Sequence, residues 1–163
     1  MKTTFLITGA VLALLGILLS SLTVSLTAAS FRRKYYPGAS PNTAQGILLS
    51  GKLLSGLILV SGTLLPLKDY LLVSPATSPA FWLFSLICCC IFAVTAVLAA
   101  TLEAWLSQSL FKGLSPAAEL QENHTAIAMV RAAVSIGLAV MLVFCMGLFM
   151  QAFIPVPAIP NIQ

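Results

Sequence analysis

Four long apolar runs dominate the chain, and short segments that hold most of its polar residues separate them. The runs cover about residues 5–30, 42–66, 80–106 and 124–153, and their apolar residues are continuous rather than spaced along amphipathic stripes. At 1.5 Å per residue, each run reaches or exceeds the roughly 30 Å hydrocarbon core of a bilayer. The pattern therefore predicts an all-α membrane protein with four transmembrane helices.

Proline and polar residues divide this pattern into two halves. Pro66 ends the second run, and the Pro- and Ser-rich link 74–79 separates it from the third run. Residues 107–121 mix polar and apolar positions, which indicates a short helix at the membrane interface. We therefore divide the chain into a two-helix unit at 1–73, the linker 74–79 and a second two-helix unit at 80–163.

The first run has two features of a cleaved signal peptide, a basic start at Lys2 and small residues near its end. However, it stays apolar for about 26 residues, whereas the apolar core of a signal peptide has roughly 7–15. Arg32, Arg33 and Lys34 follow it directly, as basic residues follow a membrane anchor. We expect this run to be retained as the first transmembrane helix.

The distribution of basic residues predicts the orientation in the membrane, because lysine and arginine near helix ends stay on the cytoplasmic side. The first and third loops hold Arg32, Arg33, Lys34 and Lys112. The opposite side holds Lys2 and Lys68. Both termini are therefore predicted to lie outside the cytoplasm.

The composition agrees with a membrane protein and excludes several other classes. Hydrophobic residues make up 60% of the chain and charged residues 7%, against about a quarter charged in soluble domains. The net charge is +4 but includes no basic run of the kind that binds nucleic acid. Cys88, Cys89, Cys90 and Cys145 lack the spacing of a zinc or redox motif, so we interpret them as small packing residues, with acylation or a redox role as alternatives.

The second and fourth runs resemble each other at an offset of 82 positions. The polar starts Asn42-Thr43-Ala44 and His124-Thr125-Ala126 superpose. Four small residues then fall on four small residues at equal offsets: Gly46, Ser50, Gly51 and Ser55 on Ala128, Ala132, Ala133 and Gly137. This correspondence predicts a tandem duplication of a two-helix hairpin, with a pseudo-twofold axis along the membrane normal.

The small residues also predict which helices lie at the centre. Gly46/Ser50 and Gly51/Ser55 are each one helical turn apart, so the second helix carries two smooth stripes. Lipid provides no hydrophobic drive for helices to associate, so close contact over small residues is a main source of packing energy. We expect the second and fourth transmembrane helices to form the inner pair, with Asn42 and His124 as their N-caps.

These motifs resemble the domain-of-unknown-function 350 family of small bacterial inner-membrane proteins. The resemblance covers nearly the whole chain and lies in Asn42-Thr43-Ala44 with Gly46, Ser50-Gly51 and Gly56, and in His124-Thr125-Ala126 with Ala128 after Leu110–Pro116 and Glu119–Asn123. It implies four spans in two tandem halves, a location in the inner membrane and no established activity. The chain departs from the pattern at His124, which replaces the second asparagine.

Three charged residues lie inside the apolar runs: Lys52, Glu103 and Arg131. A charge at the membrane centre costs roughly 2.5–3.5 kcal/mol on insertion scales, so such residues are candidates for function. One hypothesis is a polar cavity between the second and fourth transmembrane helices that binds an anion or a lipid headgroup. The alternative is structural: the long cationic side chains extend to the interface, and Glu103 neutralises one of them.

The sequence has no nucleophile with a recognisable base, no phosphate-binding loop and no acidic pair, so we expect a protein that is not an enzyme and has no cofactor. His124 alone has no metal-ligand spacing. The small-residue stripes favour a component that associates with itself or with a membrane partner protein. The alternatives are a small channel or transporter that uses Lys52, Arg131 and Glu103, and an accessory subunit of a larger membrane complex.

Overall fold

The computed structural model describes residues 2–35, 42–73, 78–112 and 116–154. Within these ranges the chain forms five helices and no strand: α1 (Lys2–Tyr35), α2 (Thr43–Val73), α3 (Pro79–Leu110), α4 (Pro116–Gln121) and α5 (Thr125–Gln151). All except the short α4 are long and apolar enough to cross a membrane. The predicted all-α membrane fold with four transmembrane helices is confirmed.

Two helix ends differ from the predicted ones. α1 continues beyond residue 30 to Tyr35, because Arg32, Arg33 and Lys34 in its last turn interact favourably with the negative end of the helix dipole. α2 does not end at Pro66 but continues to Val73. Proline removes one backbone hydrogen bond, and neighbouring helices in a membrane bundle compensate for such a loss. Pro66 is buried against them.

The predicted interfacial helix is shorter than 107–121. α3 extends to Leu110, and only Pro116–Gln121 forms the separate helix α4. We call the side of the molecule that holds α4 the α4 end. α1 and α3 finish there, and α2 and α5 begin there, so α2 and α5 run parallel to each other.

α2 and α5 form the centre of the molecule and share its most extensive helix contact, which confirms the predicted inner pair. α1 packs against α2, and α3 packs against both α2 and α5. α1 and α3 barely touch each other. The arrangement therefore leaves a groove between α1 and α3, with the α2–α5 pair as its floor.

Glycines provide the closest helix contacts. A Cβ added to Gly51 of α2 would lie 2.8 Å from the Cα of Ala132 in α5, so only glycine permits this approach. A Cβ added to Gly56 would lie 2.7 Å from Cγ2 of Thr23 in α1. Both contacts are of the kind that drives helix association in lipid, where backbones approach over small residues.

Apolar side chains fill the bundle at the end opposite α4. There the buried cluster consists of Leu67, Tyr70, Phe81, Phe84, Cys88, Met146 and Met150. Tyr70 and Phe84 stack with ring centroids 4.1 Å apart. Large apolar side chains also cover the outside of the helices, as expected for a surface that faces lipid: Ile17, Leu86, Met141 and Phe144 are examples.

Candidate functional site

The three intramembrane charges, predicted from separate parts of the sequence, lie together. Nζ of Lys52 in α2 donates to both carboxylate oxygens of Glu103 in α3, at 2.8 Å each. Nη2 of Arg131 in α5 lies 3.8 Å from Oε1 of Glu103. Counted along their helices, all three residues are roughly 10–15 Å from the α4 end. The carboxylate of Glu103 on α3 therefore faces two cations, one on α2 and one on α5.

The contact between α2 and α5 sets the level of both cations. Lys52 directly follows Gly51, and Arg131 directly precedes Ala132. Since Gly51 and Ala132 meet at the closest approach of the two backbones, their charged neighbours lie at the same depth. α3 packs against both helices and brings Glu103 to this level.

Arg131 is buried and has few partners. Arg131 is 8% exposed. Its Nη1 donates to the hydroxyl of Tyr35 in α1 at 3.4 Å, which is long for a hydrogen bond. Its Nε has no hydrogen-bond partner among the described residues, and neither has the hydroxyl of Ser135, one turn further along α5. A guanidinium has five donors, and burying unpaired donors costs free energy.

These groups border an open cavity of about 400 Å³ at the α4 end of the groove. Three cations and one carboxylate line it, namely Lys34, Lys52, Arg131 and Glu103, so two positive charges are not balanced within it. The remaining lining residues come from the walls α1 and α3: Leu26, Thr27, Ser30, Phe31, Tyr35, Ala100 and Ala104. The predicted polar cavity thus lies beside the α2–α5 pair, between α1 and α3, and not between α2 and α5.

A second cavity of about 170 Å³ continues the groove toward the membrane centre. It shares Thr27, Lys52, Ala100 and Glu103 with the first cavity. Its other lining residues are mostly small or apolar: Thr23, Ser55, Gly56, Leu59, Phe92, Ala96, Ala99, Ser135 and Ala139. The groove therefore changes from charged near the α4 end to apolar at depth.

The two polar motifs lie at the α4 end, in different surroundings. Oδ1 of Asn42 accepts from the backbone N of Gln45 at 2.9 Å and so caps α2. Nδ2 of Asn42 donates to the carbonyl oxygen of Leu120 at 2.7 Å and thereby ties α4 to α2. Ala44 is buried, whereas Thr43, Thr125 and Ala126 are exposed.

His124 occupies the N-cap position of α5, but its side chain makes no capping hydrogen bond, so the capping expected of it is not observed. Its Nε2 instead lies 3.3 Å from Oε2 of Glu119 and 3.4 Å from Oε2 of Glu122. These three groups are close enough to hold a metal ion. Glu122 and His124 are exposed, however, and a charged imidazole paired with two carboxylates gives the same arrangement without an ion.

Sequence reasoning considered Asn123 only as a neighbour of His124 and gave it no structural role. Its Oδ1 accepts from the backbone N of Ala44 at 2.9 Å, and its backbone has a φ of 64°. Asparagine is among the residues that most often adopt this left-handed conformation, so an asparagine just before the N-cap of a helix was the available signal. Asn42 and Asn123 together connect the start of α2 to the turn between α4 and α5.

The predicted packing residues divide into two groups. Gly51, Ala128 and Ala132 are buried, and Ser55 borders the deeper cavity. Gly46, Ser50, Ala133 and Gly137 are exposed on the outside of the central pair. A Cβ added to Gly46 or Gly137 would meet nothing within 4 Å. Within one chain, therefore, only part of the small-residue pattern is used for helix contact.

Comparison with known proteins gives one family. Residues 3–146 match the family model described as Domain of Unknown Function (DUF350). No curated protein and no solved structure matches the chain. The matched range contains nearly all of α1, the whole of α2, α3 and α4, most of α5 and every residue that lines the two cavities.

Proposed function

Since the chain belongs to the Domain of Unknown Function (DUF350) family, which implies no activity, we propose from its geometry that it is a non-enzymatic membrane protein that binds an anionic group. The binding site is the cavity lined by Lys34, Lys52, Arg131 and Glu103. We further propose that the protein resides in a bacterial inner membrane with both termini outside the cytoplasm.

The state of Arg131 carries this proposal. A buried guanidinium with an unpaired Nε is costly, because its donors have left water without gaining full hydrogen bonding. Phosphate and carboxylate groups fit the planar donors of arginine and form strong, charge-assisted hydrogen bonds with them. An anion in the adjoining cavity would satisfy Arg131 and balance the excess positive charge there.

A purely structural role for the three charges explains only part of the arrangement. Glu103 pairs closely with Lys52, at 2.8 Å, and leaves Arg131 at 3.8 Å. The pairing therefore accounts for Lys52 and Glu103 but does not account for the burial of Arg131 or for Lys34 beside the same cavity.

Binding is a better proposal than conduction for a single chain. Among the described residues, the deeper cavity ends at the level of Leu59, Phe92 and Ala139. Beyond it, the apolar cluster around Phe81 and Met150 fills the space between the helices. A polar ligand could reach Arg131 from the α4 side of the membrane, but these side chains block its continuation through the bundle.

Ligand-induced stabilisation tests the proposal, with glycerol 3-phosphate as a soluble anionic probe. In neutral detergent we expect it to raise the Tm of the wild type, since a ligand at about a hundredfold excess over its Kd adds about 2.7 kcal/mol of stability. Lys52→Met and Arg131→Gln should lose most of this rise, whatever their Tm without the probe. Lys68→Met, which changes an exposed lysine on the same helix, should retain it. An equal rise in all variants, or none in the wild type, would contradict the proposal.

We also propose that copies of the chain associate through the exposed small residues Gly46, Ser50, Ala133 and Gly137. Two observations favour this second role: these positions are exposed on the inner helices of the fold, and side chains from the same chain leave Gly46 and Gly137 open. Small residues that no helix of the same chain covers permit close approach of another copy. The oligomeric state of variants at these positions tests it.

A further inference from the structure

We propose that the anionic group is the phosphate of a phospholipid, whose headgroup lies at Arg131 and Lys52 and whose acyl chain lies in the groove between α1 and α3. This inference rests on the proposed anion site and names its ligand. The ligand would enter sideways from the bilayer.

The groove is open toward lipid along its length. Its walls, α1 and α3, barely touch, so no helix of the described chain closes the space between them. Ala100 and Ala104 on α3 are exposed and small, which leaves room beside Glu103. A lipid could therefore move from the bilayer into the groove without a separation of packed helices.

The lining of the groove matches the two parts of a phospholipid. Lys34, Lys52 and Arg131 concentrate positive charge near the α4 end, where a phosphate would lie. Leu59, Phe92, Ala96, Ala99 and Ala139 line the deeper part, where an acyl chain would replace other lipid. Along α3, the lined stretch from Phe92 to Ala104 is about 18 Å long. This length is close to half of the roughly 30 Å hydrocarbon core, or one leaflet.

Access from water is less favourable than access from lipid. Phe31 and Tyr35 line the α4 end of the cavity, are both buried, and have ring centroids 4.6 Å apart. They pack with Leu48 and Leu120 in one apolar cluster at the α4 end. These buried rings narrow the route from water, whereas a lipid phosphate reaches the cations through the open side between α1 and α3.

Native mass spectrometry in neutral detergent tests the inference by comparing two probes with the same phosphate chemistry. Dihexanoyl phosphatidic acid carries two short acyl chains and glycerol 3-phosphate carries none. We expect the lipid to bind roughly tenfold or more tightly, because its methylene groups leave water in the groove. Ala96→Phe fills the deeper cavity and should weaken lipid binding at least about fivefold, with glycerol 3-phosphate unaffected.

Val97→Phe is the matched control, because Val97 is the neighbouring residue on α3, is exposed to lipid and lines neither cavity. It should leave both affinities unchanged. If the wild type binds both probes with equal affinity and Arg131→Gln binds neither, the lipid proposal is overturned but the anion site is kept. Lipid binding that is insensitive to Arg131→Gln and Lys52→Met would overturn both, since it would report lipid adhering to the outer surface.

Discussion

Glu103 has opposite effects on the stability of the cavity and on its capacity for anions. Its carboxylate is the ion-pair partner of Lys52 and the nearest acid to Arg131, so it lowers the cost of burying both. The same negative charge repels an anion that enters beside them. A neutral side chain of equal size at this position separates the two effects.

We predict that Glu103→Gln lowers the free energy of unfolding by about 1–3 kcal/mol, because the buried Arg131 and the partly buried Lys52 lose their counter-charge. The affinity for glycerol 3-phosphate should rise roughly tenfold, since a negative charge near the site is removed. Thermal unfolding with and without the probe measures both changes in one experiment. Glu122→Gln, at an exposed glutamate, should change neither quantity. A fall in affinity for Glu103→Gln would show that the carboxylate helps to hold the ligand.

The three charged residues of this site were predictable from sequence, but the uncharged residues around Arg131 were not. Lysine, arginine and glutamate within apolar runs are conspicuous because insertion into lipid is costly. The sequence pattern predicts Tyr35 in a loop, because the first apolar run ends near residue 30. Ser135 looks like any small hydroxyl residue in a transmembrane helix, and only the three-dimensional contacts reveal that its oxygen has no partner.

The helices themselves follow from long apolar runs, but their contacts depend on which stripe of small residues faces inward. In the sequence, the stripes Gly46/Ser50 and Gly51/Ser55 are equivalent. In the structure, Gly51 meets Ala132 and Gly46 is exposed. Lys52, the residue after Gly51, bonds to Glu103 of α3. The continuation of α2 beyond Pro66 was also not predictable, because it depends on tertiary packing rather than on local preference.

The two kinds of glycine predict different responses to substitution. Gly51→Ala should lower the free energy of unfolding by about 1–3 kcal/mol, since the added Cβ meets the backbone of Ala132. Gly137→Leu should leave the free energy of unfolding of the isolated chain nearly unchanged, because its site is open. It should instead reduce the fraction of oligomer, since bulk at this position separates approaching copies. Thermal unfolding and chemical cross-linking in detergent provide the two readouts.

Two results would contradict the prediction that these two glycines respond differently to substitution. An unchanged Tm for Gly51→Ala would mean that α2 and α5 are not as close as the structure places them. An unchanged oligomer fraction for Gly137→Leu, together with a normal Tm, would exclude the exposed stripe as the surface of self-association. Gly46→Leu provides a second exposed and open position, on α2 instead of α5.

The sequence repeat predicts part of the arrangement of the whole molecule, namely the direction of its central helices, but not the asymmetry of its site. The parallel arrangement of α2 and α5 agrees with a duplicated hairpin, and the duplication itself stays a prediction. The two halves differ at the site: Lys52 and Arg131 are not at equivalent positions of the predicted repeat, and α1 and α3 contact the central pair differently. A groove on one side of the molecule depends on this difference.

The orientation determines which leaflet supplies a ligand to the groove, because the cavity lies near the α4 end. Arg32, Arg33, Lys34 and Lys112 are at this end, and the positive-inside rule predicts that they lie in the cytoplasm. The cavity would then open into the cytoplasmic leaflet, whose anionic lipids attract basic groups. Cysteine labelling on α3 tests this, because Ala80 and Ser109 are exposed near its two ends and lie about 44 Å apart along the helix.

In a background where all four native cysteines are replaced by alanine, we predict that Ala80→Cys reacts with a membrane-impermeant maleimide added to intact bacterial spheroplasts. Ser109→Cys should react only after the membrane is permeabilised, because the proposed orientation puts the α4 end inside the cell. Neither change alters a charge, so the basic residues that set the orientation are retained. The opposite labelling pattern would place the cavity in the outer leaflet, and labelling of both positions in intact spheroplasts would show that the chain inserts in both orientations.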